Sequence, residues 1–193
     1  MLLNKRIEFL LEEPSMENFL TIILPKILPK GYKLNDNCFL RPHEGKNDLK
    51  KSIPNKIKVF SNFHIPTKII IIHDQDSNDC KKLKEGLIQL CTSNGDCPVL
   101  IRIPCKELEN WYLGDMDAIG AVYPKFKPEK YKNKATYRNV DQCFGAYELE
   151  KIIKTFQKGF ASKNIPNFMN LENNNSTSFN HLISGLHNFL LEV

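Results

Sequence analysis

The sequence predicts an α/β fold: a mostly parallel central sheet flanked by helices on both faces. Three observations predict it. Residues 69–72 are four consecutive isoleucines, and a strand apolar at every position has to be covered on both sides, as in the middle of a parallel sheet. Strand-like runs alternate along the chain with stretches whose apolar residues recur at helical spacing, the order a parallel sheet requires. The strand-like runs also end in acid-bearing polar turns, and ligands of open α/β sheets bind beyond the carboxyl ends of the strands.

Each element can be justified in turn. Residues 5–11 (KRIEFLL) fit a first strand, closed by Glu12 and Glu13. Ser15 can cap the next helix, which carries Phe19, Leu20, Ile23 and Leu24 on one face and runs to about residue 28, with Pro25 ending or kinking it. A weaker strand is expected over 32–40, then the polar turn 41–45 and a helix over 46–57 with a break at Pro54. The isoleucine strand, 68–72, stops in HDQDSND (73–79), where Asn78 or Asp79 can cap a helix over 80–91 bearing Leu83, Leu87 and Leu90. After a turn at Asn94 and Gly95, residues 97–104 (CPVLIRIP) read as another strand, and 106–113 start a helix with Glu107, Glu109 and Trp111. Residues 122–140 are rich in Pro, Lys and Tyr and read as irregular; helices over about 147–156 and 179–191 follow.

Composition narrows the class. At 193 residues, 41% apolar and 25% charged, the chain is expected to form one domain over 1–193 with a real core. No apolar run is long enough to span a bilayer, which takes about 18 residues or more. Lys5 and Arg6 interrupt the first apolar run, so no secretory signal is expected and the chain reads as cytoplasmic. The net charge is +5, and it is concentrated: residues 122–163 hold nine Lys and one Arg against four acids. That surplus is either a solvated surface or a phosphate-binding face. The six cysteines show no C-x-x-C pair or paired histidines, so they are expected to be reduced and zinc-free.

Three pairs of acids carry the chemistry: Glu12 and Glu13, Asp74 and Asp76, Glu107 and Glu109. Carboxylates that converge beyond strand ends repel one another unless a cation intervenes, and hard oxygen ligands favour Mg²⁺ or Mn²⁺. In an extended turn residues i and i+2 point the same way, so Asp74 and Asp76 can share a site. Helix capping is the bland alternative for such acids. His43 and His73 are either proton carriers or satisfied loop-edge histidines. Lys46 either meets a phosphate or pairs with an acid, and Trp111 is either a core anchor or a base-stacking platform. A nucleoside-triphosphate loop is excluded: Leu40 stands where the first glycine before Gly45 and Lys46 should be, and Asn47 replaces the Ser or Thr.

The blocks LLEEPSMENFL (10–20), HEGKNDL (43–49), IIIIHDQDSNDCKKLK (69–84), RIPCKELENWYLGD (102–115) and NNSTSF (174–179) resemble, in order and spacing, the family called domain of unknown function 4276. That family is similar to Toprim domains, the α/β metal-binding fold of topoisomerases, primases and overcoming-lysogenisation-defect nucleases. It is associated with prokaryotic systems, including defence, that pair such a domain with an ATPase. The resemblance implies that Glu12, or Glu13 in the alternative register, is the acid ending the first Toprim strand. Asp74 and Asp76 match the later D-x-D, and Glu17 matches a second acid of nuclease-type relatives. Glu107, Glu109 and Asp115 match the family's own motif, while Glu13 departs from the glycine common in Toprim proteins.

The expected function is a Mg²⁺- or Mn²⁺-dependent nuclease acting on DNA or RNA, with Glu12, Asp74 and Asp76 as metal-binding and catalytic residues. Phosphate contacts are expected from Lys46, Lys125, Lys127, Lys130, Lys132, Lys134 and Arg138. The alternative from another class is a non-catalytic binding or regulatory subunit of an ATPase complex.

Overall fold

Four strands and eight helices follow one another in the computed structural model, which describes residues 5–191; positions 1–4 and 192–193 of the expected domain lie outside them. They are β1 (Arg6–Leu11), α1 (Pro14–Ile27), β2 (Cys38–Pro42), α2 (Lys46–Ser61), β3 (Thr67–Ile72), α3 (Cys80–Thr92) and β4 (Val99–Arg102). Helices α4 (Glu109–Leu113), α5 (Met116–Val122), α6 (Gly145–Ile152), α7 (Lys158–Asn164) and α8 (Thr177–Leu191) complete the set.

The sheet has the order β2-β1-β3-β4 and every pairing is parallel. The two strands most apolar in sequence, β1 and β3, are therefore the inner pair. Residues 69–72 are at most 1% exposed, which confirms that both faces of β3 are covered. Alternation along the strands divides the core in two. Ile7, Phe9, Leu11, Ile70 and Ile72 pack on the side of Phe19, Trp111, Ile119 and Phe179, which belong to α1, α4, α5 and α8. Leu10, Ile69, Ile71 and Ile101 pack with Leu49, Ile53, Ile57 and Leu87 of α2 and α3. Glu8, on the second face, is fully buried and is held by Arg6 and Arg41; its Oε2 lies 2.9 Å from the Arg41 guanidinium.

Several boundaries differ from the sequence expectation. Strand β2 starts at Cys38, because residues 31–37 form a turn with Asn35 at φ 64° and the Asn37 amide bonded to Lys33 N and Gly31 O. Helix α2 passes through Pro54 to Ser61, since the burial of Leu49, Ile53, Ile57 and Phe60 outweighs one missing backbone bond. Pro25 likewise sits inside α1. Glu13, not Ser15, is the N-cap of α1; Ser15 is inside the helix and its hydroxyl bonds the Glu13 carboxylate. Lys106, at φ 64°, delays α4 to Glu109. The helix expected over 147–156 starts earlier and ends at Ile152 as α6, and α5 and α7 have no counterpart in the sequence expectation. Residues 122–140 are irregular as expected, broken by short 3-10 turns.

Candidate functional site

The register places all four strand ends at one edge: Leu11 lies beside Pro42 and Ile72, and Ile72 beside Arg102. The residues that follow therefore meet in space. Backbone bonds fix the loops to one another. His43 N–H donates to Leu11 O and Gly45 N–H to Glu12 O, while Asp76 N–H donates to Lys106 O at 2.8 Å. Gly45 adopts φ 95°, a left-handed value that favours glycine, and so delivers Lys46 to the start of α2.

Glu12 and Asp74 are joined directly: the Asp74 N–H donates to Glu12 Oε2 at 2.9 Å. His73 Nδ1 stands 3.0 Å from the same oxygen and 2.7 Å from Asp74 O. Both neighbours are acceptors, so Nδ1 carries the proton and, among the described residues, Nε2 is left buried without a partner. Burial lowers the pKa of His73, which favours this neutral form. Asp76, at φ 52°, places Oδ2 2.9 Å from Lys46 Nζ, and that bond raises the lysine's pKa.

The carboxylates crowd one another. Asp74 is held well above the ordinary aspartate range, first by burial and then by Glu12, Glu109, Glu13 and Asp76. Burial also raises Glu12, against the pull of the Asp74 N–H. Glu109 is 1% exposed and burial pushes it up to about 7, against the pull of Lys158. Among the described residues its Oε2 and the Tyr112 hydroxyl are buried with no hydrogen-bond partner, Oε2 having only the Lys158 ammonium at 3.7 Å. Glu107 accepts from Ala146 N–H at 2.8 Å and lies 3.3 Å from Lys158 Nζ. Two lysines from different helices thus flank six acids, Lys46 on one side and Lys158 on the other.

The remaining candidates have other places. Glu17, in the first turn of α1, has no bond to these acids among the described residues. Asp115 is structural: it caps α5 through Ala118 N–H and accepts from Asn170 N–H at 2.7 Å. Trp111 is fully buried and its Nε1–H donates to Ser178 Oγ at 2.9 Å, so it is a core anchor. His43 is satisfied by Leu11 O and Ser52 Oγ. Lys125, Lys127, Lys130, Lys132, Lys134 and Arg138 are all exposed. Lys132 is engaged by Asp117, and the Lys134 ammonium lies 4.5 Å over the Tyr131 ring. Sequence reasoning missed Lys158, which comes from 51 residues beyond Glu107 with no local signal, and Tyr112, whose burial beside Glu109 only the fold reveals.

Among the described residues no three His, Cys, Asp or Glu side chains form a ready metal-holding group. The donor chemistry still fits a hard divalent cation, because Mg²⁺ uses one or two carboxylates and takes its other ligands from water and substrate phosphate. Glu12, Asp74 and Asp76 are the carboxylates that would hold it, and among the described residues no bond engages the Asp74 carboxylate.

Fold and site define an α/β protein with an all-parallel sheet and a carboxylate-lined edge beyond its strands. The chain belongs to the family described as Domain of unknown function (DUF4276), which matches residues 11–187 and so includes every site residue named above. No curated protein and no solved structure matches it. No helix among the described residues is long and apolar enough to cross a membrane.

Proposed function

We propose that the chain is a Toprim-like, divalent-metal-dependent domain that cleaves phosphodiester bonds in nucleic acid and works beside a partner ATPase. The observation that carries this reading is the meeting of Glu12, Asp74 and Asp76 at one sheet edge, where burial first and then the neighbouring acids raise the proton affinity of Asp74. A Mg²⁺ or Mn²⁺ ion held by Asp74 and Asp76, with Glu12 as a further ligand, would neutralise that charge and polarise a scissile phosphate.

The chain's own residues have definable parts. Glu12, whose proton affinity burial raises, is the carboxyl suited to general acid or base work where it does not ligate the ion. His73 orients it through the Nδ1–H contact at 3.0 Å. Lys46 can leave Asp76 for a substrate phosphate, because the pair is half-exposed and so weak. The exposed lysines of 125–134 supply backbone attraction that salt should screen.

A second reading, a non-catalytic subunit of an ATPase complex, draws on the protein partners the acids already have: Asp76 with Lys46, Glu107 with Lys158. Incubating the purified chain with DNA and RNA, with Mn²⁺, Mg²⁺ or EDTA, separates the two. Metal-dependent cleavage lost in Asp74→Asn supports the nuclease. Intact polymers under all conditions, with and without an ATPase, support the binding subunit.

A further inference from the structure

The acidic edge has an aromatic neighbour that plays no part in the core. Phe144 is 59% exposed and Tyr147 64% exposed, although both belong to residue types that normally bury much of their surface. Each ring carries a cation: Lys106 Nζ lies 5.4 Å from the Phe144 centroid and Lys151 Nζ 6.0 Å from that of Tyr147. Together with Arg138 and Gln142 the two rings line an open groove of about 560 Å³. The one acid in its wall, Glu148, is taken up by the Tyr137 hydroxyl and by Lys151.

This platform is fixed to the site. Ala146, between the two rings, donates its N–H to Glu107, and a Cβ on Gly145 would lie 2.6 Å from Asn110 N, so the start of α6 is pressed against the head of α4. Lys106, over Phe144, also accepts the Asp76 N–H with its carbonyl.

We infer that Phe144 and Tyr147, with Lys106, Arg138 and Lys151, form a stacking platform for unpaired bases that feeds a single strand of nucleic acid to the acidic edge. The inference rests on the nucleic-acid reading above and narrows it to strands over duplexes. Bases inside a duplex are already stacked, whereas an unpaired base can use an exposed ring while its phosphate takes the nearby ammonium. Stacking one base on one ring is worth about 5- to 140-fold in affinity.

The test is fluorescence anisotropy in EDTA, so that cleavage plays no part, with labelled DNA and RNA strands of about 16 nucleotides and the matching duplex. The wild-type chain should bind at least one kind of strand about tenfold or more tighter than duplex. The double variant Phe144→Ala with Tyr147→Ala should lose that preference, and Tyr147→Phe should keep it. Equal binding of strand and duplex, or a preference unmoved by the double variant, overturns the platform and leaves the nucleic-acid reading standing. Binding of neither overturns both.

Discussion

Glu109→Gln isolates the electrostatics of the acidic edge. Glu109 is 1% exposed, and burial, opposed by Lys158 and assisted by Glu107, raises its pKa from 4.5 to about 7. A carboxyl that binds its proton more tightly in the folded chain than in the unfolded one removes stability as pH rises. The loss begins near pH 4.5 and is complete above about pH 7. That interval corresponds to about 3 kcal/mol, at roughly 1.4 kcal/mol per pH unit. Glutamine keeps the shape and never ionises, so the variant escapes this loss. Its amide hydrogens, if unmatched, subtract about 1–3 kcal/mol at every pH, so the informative quantity is the change with pH. Urea unfolding of both proteins at about pH 4 and about pH 8.5 should show the variant gaining about 3 kcal/mol between them. In a chain of this size that is about 6–12 °C in Tm. Parallel stability curves would refute the reasoning, because they would mean that Glu109 ionises in the folded chain as easily as in water.

Trp111→Ala should cost about 3–5 kcal/mol in urea unfolding, since it empties a fully buried site between Phe19 and Phe179 and removes one of the bonds to the Ser178 hydroxyl. Lys46→Gln should change stability by less than about 1 kcal/mol, as the pair with Asp76 is half-exposed. The same change should lower the salt dependence of nucleic-acid binding by about one phosphate contact. Thiol titration should find all six cysteines free in denaturant. In the native chain Cys38 and Cys91 should react slowly, because burial pushes their thiols up to about 12 and about 11.

What the sequence made legible follows from how local the signal was. Four isoleucines in a row admit little but a doubly covered strand, and they mark β3 and hence the inner sheet. Acids just after such strands fall at one edge in any parallel sheet, which is why Glu12 and Asp74 could be paired without coordinates. Pro54 misled because tertiary burial of four apolar side chains overrode a local breaker. Trp111 was ambiguous because a tryptophan's neighbours, not its own position, decide whether it is core or surface. Lys158 and the exposed pair Phe144 and Tyr147 belong to no motif and come beside the site only through the docking of α4, α6 and α7, while Tyr112 sits in a motif block whose burial the sequence does not show.

The central claim is that the carboxylates at the sheet edge are crowded in order to hold a divalent cation. Calorimetric titration of Mn²⁺ into the apo protein, paired with thermal melts of wild type and Asp74→Asn, tests it most directly. Among the described residues none bonds to the Asp74 carboxylate, so its loss removes a burial cost and the repulsion beside it, and the apo Tm should hold or rise. Wild type should bind Mn²⁺ and be stabilised by it, and Asp74→Asn should lose both effects. A wild-type chain that takes up no Mn²⁺, or an Asp74→Asn variant that melts lower without metal and responds to Mn²⁺ as wild type does, would contradict the account.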